Sequence, residues 1–170
     1  EQTRRPQLLM ALMQDGVDVV RREVAWNALL PPEALAQLAV DDSDKVRGAV
    51  ASNPRTPQPV LAAMTRDVLW VREMLAGNEA LAVNVMVSLA DDPAETVRFG
   101  VASSPDVPVD VLIRLAGDPA AIVRGAVALN DSTPPGTLLG LAGDDSGQVR
   151  RMVGMNPKTP IGALTQLAAD

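Results

Sequence analysis

Apolar residues recur along this chain in a fixed frame. A Val-Arg pair stands at Val20, Val46, Val71, Val97, Val123 and Val149, each valine followed by arginine, at a step of 26 residues except for 25 between Val46 and Val71. After each pair the apolar positions fall at i, i+4 and i+5, as in Val97, Val101 and Ala102 or Val123, Val127 and Ala128. That spacing marks one face of a helix rather than a strand. A second stripe follows in each unit, Val60, Leu61 and Met64 or Val111, Leu112 and Leu115. Every unit therefore predicts two short helices, and no stretch alternates with period two. Repetition at this interval is the mark of stacked units, none of which buries its apolar face alone.

Polar punctuation sets the expected helix ends. Asp or Ser before Val-Arg, as in Ser43-Asp44 or Asp92-Pro93, reads as a helix start. Asn27, Asn53, Asn78, Asn130 and Asn156 close the first helix, with Ser104 in the remaining copy. Asn tolerates the left-handed conformation of a helix end, and Pro54, Pro105 and Pro157 forbid continuation. Thr56-Pro57, Thr133-Pro134 and Thr159-Pro160 read as a cap followed by a first-turn proline. The unit at Val71 departs from this pattern. Asn78-Glu79-Ala80 replaces the Asn-Pro turn, so its two helices are expected to run closer to continuous, either as drift or as a specialised contact patch.

The expected organisation is a single helical-repeat domain over residues 1–170. Residues 1–19 form a truncated first repeat, full repeats start at 20, 46, 71, 97 and 123, and 149–170 is an incomplete last one. Because the chain opens without methionine and stops within the pattern, it reads as part of something longer. Neither end looks like a polar cap, which leaves self-association open.

Units of the form VRxxVAxNPxTPxxVLxxLAxD resemble the leucine-rich repeat variant family, over nearly the whole chain from Pro6 to Asp170. The resemblance implies an all-α, right-handed solenoid of about six and a half repeats that alternates α- and 3₁₀-helices without a β-sheet, similar in style to HEAT-type repeats. It implies a binding role more weakly. A member of that family carries a cysteine cluster holding an iron–sulfur centre. This chain has no cysteine, so no redox cofactor carries over.

Composition narrows the chemistry. With 15 basic and 21 acidic residues the net charge is −6, which makes a poor general surface for nucleic-acid phosphate. Histidine and cysteine are both absent, so neither a Ser–His or Cys–His nucleophile pair nor an ordinary zinc site can be built. No phosphate-cradling glycine loop occurs, and the ladder carboxylates, expected at solvent-facing helix ends, lack the buried pocket that would raise a pKa. No enzyme activity, cofactor or metal is expected. Asp41-Asp42-Ser43-Asp44 and Asp144-Asp145-Ser146-Gly147 lack the spacing of a calcium loop and read as caps. No apolar run is long enough to span a membrane, and a cytoplasmic location is the default expectation.

Two ladders and three aromatics remain. Arg21, Arg47, Arg72, Arg98, Arg124 and Arg150 alternate with Asp41, Asp67, Asp92, Asp118 and Asp144, which predicts inter-repeat staples in preference to a basic rail. The Asn ladder reads as helix termination, with stacked amides able to bind extended peptide as the sharper alternative. Trp26, in a slot held elsewhere by Ser52, Gly77, Ser103, Leu129 and Met155, together with Trp70 and Phe99, could contact a partner. The reading is an interaction scaffold for a protein or peptide. Nucleic-acid binding by a face gathering Arg22, Arg66, Arg114 and Arg151, or a plain spacer, is the alternative.

Overall fold

A computed structural model describes the backbone of residues 4–169 and the side chains of 7–169. Every regular element among the described residues is helical, as the apolar spacing predicts. The chain divides into two compact units, Glu1–Val85 and Met86–Asp170.

In the first unit, α1 (Arg4–Leu12), α3 (Pro32–Leu38) and α5 (Gln58–Ala63) are the second helices of their repeats, and α2 (Asp18–Trp26), α4 (Asp44–Ser52) and α6 (Leu69–Ala76) are the first. The helices α2, α4 and α6 pack side by side in that order. Helix α7 (Val83–Leu89) spans the division. In the second unit, α8 (Glu95–Ser103), α10 (Ala121–Leu129) and α12 (Gly147–Met155) form the row of first helices. The second helices there are α9 (Val109–Leu115), α11 (Pro135–Leu141) and α13 (Ile161–Ala168).

These helices have six to nine residues, too few to stand alone in water, so lateral packing holds them. The frame valines Val46, Val71, Val97, Val123 and Val149 are fully buried, as are Leu35, Leu61, Leu75, Leu112 and Leu138. Each such side chain contributes about 1.5–3 kcal/mol by leaving water. The core is thus built from small aliphatics, which lets neighbouring helices approach closely.

Four local expectations need correction. The second helices are α-helical, and 3₁₀ geometry among the described residues is confined to Met64–Arg66, in the link that is one residue short. The break after α6 survives without proline: Asn78 Oδ1 accepts from the Ala80 N–H at 2.8 Å. Gln58 of the preceding repeat then clamps the same turn, donating to the Ala80 carbonyl at 2.5 Å and accepting from Ala82 N–H at 2.9 Å. The threonines do not cap the helices that follow them. Thr56 and Thr133 each donate a hydroxyl hydrogen, at 2.6 Å, to Val50 and Val127 in the last turn of the helix before. Finally, no asparagine adopts the left-handed conformation. Asn27, Asn53, Asn130 and Asn156 lie at φ −71° to −76° with ψ 119° to 127°, ordinary extended backbone.

Candidate functional site

The asparagines act through their amides. Each Oδ1 accepts the N–H two residues on, closing an Asx turn at Asn27, Asn53, Asn78, Asn130 and Asn156. Each Nδ2 of the last four reaches back one repeat. Asn53 donates to the Ala25 carbonyl at 2.7 Å, Asn78 to Ala51 at 2.6 Å, Asn130 to Ala102 at 2.9 Å and Asn156 to Ala128 at 2.7 Å. Those four side chains are buried and their polar atoms are committed internally, so they present no amide row to an extended peptide.

The arginines are committed as well. Arg98 sends Nε and Nη2 to both carboxylate oxygens of Asp118, at 2.7 and 2.9 Å, while Nη1 reaches the Asp92 carbonyl at 2.8 Å. Arg21 treats Asp41 and Asp15 in the same way, Arg47 treats Asp67 and Asp41, and Arg124 treats Asp144 and Asp118. Arg72 and Arg150 hold the carbonyls of Asp67 and Asp144. One planar fork thus fastens the Asp loop ahead of its own helix to the Asp loop that follows. Asp41, Asp67 and Asp144 are held below the usual carboxylate range, first by the arginine fork and then by a backbone N–H. At Asp118 burial is the largest influence and opposes ionisation, yet the Arg98 fork and the Ala120 N–H together outweigh it. These carboxylates do not face solvent as expected, since Asp92 and Asp118 are only 7% exposed. Low pKa values in stapled loops suit structure rather than proton transfer.

The acidic loops follow the same economy. Asp41 and Asp144 accept from the N–H groups of Ser43 and Ser146, and Ser43 Oγ donates to Asp18 at 3.1 Å. Among the described residues, no group of three His, Cys, Asp or Glu side chains could hold a metal ion.

With the ladders internally engaged, the aromatics stand out. Trp26 is 51% exposed, Trp70 48% and Phe99 39%. Trp26 on α2 and Trp70 on α6 line one groove of about 630 Å³ in the first unit, whose floor is Gly48 on α4. With Gly48 there the indole lies close over α4, since a Cβ would come within 2.8 Å of Trp70 Nε1 and would displace the ring. A second hollow of about 320 Å³ shares Trp26 and Met74 with this groove and adds Glu73, Glu79 and Ser52. Another groove of about 570 Å³ lies along α3 and α5, against Val40, Val60 and Arg66. Phe99, on α8, belongs to the second unit.

The off-ladder arginines are dispersed within each unit. In the first, Arg22 lies on α2 beside Glu23 at 2.6 Å, whereas Arg66 lines the groove along α3 and α5. In the second, Arg114 on α9 pairs with Asp91 at 3.2 Å and Arg151 lies on α12. The sequence pattern singles out both tryptophans; Glu73 and Glu79 stand at variable repeat positions, and Gly48 and Met74, matched by Gly125 and Met152 in other copies, carry no signal of their own.

A family model described as leucine rich repeat variant matches residues 44–68, one repeat of this chain. Among solved structures, one described as a leucine-rich repeat variant with a novel repetitive protein structural motif is similar at a TM-score of 0.72 and 30% identity. The similarity covers 95% of this chain and 64% of that one, so the chain spans less than two thirds of the length of its structural relative. No curated protein matches by sequence. Among the described residues no helix is long and apolar enough to cross a membrane.

Proposed function

The chain carries the repeats of the leucine-rich repeat variant family, and on that premise we propose that it is a non-catalytic interaction scaffold for a protein or peptide partner. One observation carries this reading: two tryptophans half exposed around a groove, in a chain whose ladder polar groups are turned inward. Exposed tryptophan in a groove that mixes apolar and charged side chains, Arg22 among them, has the composition of an interface hot spot. The mechanism is display. Within each unit, buried valines and leucines hold the first helices side by side, and the variable positions they present select the partner.

The test compares the intact chain with a Trp26→Ala, Trp70→Ala double variant, each immobilised and exposed to lysate of the source organism with and without nuclease. Mass spectrometry is expected to find proteins retained by the parent in both arms and lost by the variant. Retention abolished by nuclease would favour nucleic acid instead, and equal empty eluates would leave a spacer.

A further inference from the structure

The groove around Trp26 and Trp70 has two chemically distinct ends. One has Trp70 and Met74 over Gly48, rimmed by the Arg22–Glu23 ion pair and by Asp44 and Lys45. The other brings Glu73 and Glu79 beside the Trp26 ring. Glu73 is half-buried and Glu79 exposed, and neither carboxylate has an ion-pair or hydrogen-bond partner among the described residues. That separates them from the ladder aspartates, each of which is held by arginine or backbone N–H groups.

Both glutamates are peculiar to the irregular repeat. The slot of Glu73 holds Arg22, Gly48, Phe99, Gly125 and Arg151 elsewhere, and that of Glu79 holds Ala28, Pro54, Pro105, Asp131 and Pro157. Trp70 stands where the other copies have Val19, Lys45, Thr96, Ile122 and Gln148. These three exposed departures of one repeat line adjoining hollows, and none of them takes part in the Arg–Asp or Asn staples. Glu79 takes a slot that is proline in three of the other five copies, and Gln58 restrains the turn in its place.

We infer that this groove binds a peptide segment carrying a large apolar side chain close to a lysine or arginine. The apolar side chain occupies the Trp70–Met74–Gly48 end. The cation sits over the Trp26 ring with Glu73 and Glu79 around it, gaining both a cation–π contact and carboxylate pairing. Charge complementarity sets this choice of occupant. Arg22 and Lys45 are matched in number by Glu23 and Asp44 at the first end. The second end has Glu73 and Glu79 with no basic residue, so an acidic or neutral segment would leave both carboxylates unpaired beside Trp26. The inference rests on the scaffold reading and specifies its partner.

The test uses a randomised twelve-residue peptide library panned on the whole chain, with affinities of selected synthetic peptides read from tryptophan fluorescence. The expected outcome is enrichment of sequences that place Lys or Arg within a few positions of a large apolar residue. A Glu73→Gln, Glu79→Gln double variant should bind these peptides about fivefold more weakly or worse, with a shallower salt dependence. Its circular dichroism should match the parent, since both side chains are without structural partners, and Glu33→Gln on α3 serves as the control. Peptides that lack a basic residue, or bind the double variant as well as the parent, overturn this inference while leaving the scaffold reading intact. No enrichment over an unrelated helical chain would overturn both.

Discussion

Replacing Asn130 by alanine probes what fastens one repeat to the next. Its amide donates to the carbonyls of Ala102 and Ser104 at 2.9 and 2.8 Å, and its Oδ1 accepts the Ser132 N–H at 2.8 Å. The side chain is 8% exposed, so water cannot readily replace these partners. Three bonds at about 1 kcal/mol each, with the Ala102 carbonyl left bare, give a loss of about 2–4 kcal/mol. For a chain of this size that corresponds to a fall in melting temperature of roughly 5–15 °C. Asn27→Ala is the internal control. Asn27 makes the same turn bond, to Leu29 at 2.9 Å, but no inter-repeat bond among the described residues, so its loss should be about 1 kcal/mol or less. Thermal and urea unfolding followed by far-ultraviolet circular dichroism would compare the two variants with the parent. Equal shifts would refute the assignment of inter-repeat cohesion to the amide, and would return the asparagines to turn formation alone.

Leu112→Ala should cost about 2–5 kcal/mol through the cavity it leaves, because Leu112 is fully buried on α9. Arg114→Ala, on the exposed face of the same helix, removes an ion pair to Asp91 with both partners well exposed, worth about 0–1 kcal/mol; equal urea midpoints for the two variants would mean the helix face is misassigned. Acid should weaken the stack. Asp41, Asp67, Asp118 and Asp144 have folded-state pKa values below their ordinary ones, so their contribution is fully present above the unfolded value of about 4 and is lost as pH falls through the folded values. Urea midpoints should therefore agree at about pH 7 and pH 5 and drop at about pH 3, and an unchanged midpoint at the lowest pH would argue against the carboxylate staples.

The two helices of each repeat could be read from the chain because side chains on one helix face are fixed by local spacing. Val97, Val101 and Ala102 lie on the buried face whatever α8 packs against. Contacts between repeats obey a different rule. Which aspartate receives the Arg98 fork depends on the offset between neighbouring repeats, and the sequence offers Asp92 six residues before and Asp118 twenty residues after. Asp118 takes the fork, while Asp92 offers its carbonyl to the remaining nitrogen. The amides of the asparagines were hidden for a related reason: turn formation engages Oδ1, but the donor end is placed by the repeat before. Thr56 shows the same limit, since Thr-Pro suits a forward cap and only the packed turn reveals that its hydroxyl points back to Val50.

Exact repetition, conversely, makes departures informative. A residue present in every copy, such as the frame valine, is explained by the stack itself, and its presence says nothing about a partner. Glu73 and Glu79 have no such explanation, and Trp26 and Trp70 remain half exposed despite the burial open to large apolar side chains. The link before Val71 is also one residue short, with its 3₁₀ turn at Met64–Arg66 immediately ahead of Trp70 on α6. A shortened link shifts the entry into α6, and Trp70 then lies over the Gly48 floor where a Cβ would collide with its indole. The irregular repeat is therefore a local rebuilding that retains the frame valine at Val71, exchanges a buried valine for Leu75, and alters the exposed face. Its buried departures, Leu75 in a slot that is valine in the other copies and Leu81 in a slot that is threonine in three of them, are repacking. Its exposed ones, Trp70, Glu73 and Glu79, line adjoining hollows that share Trp26 and Met74, and that is the physical ground for seeking the partner there.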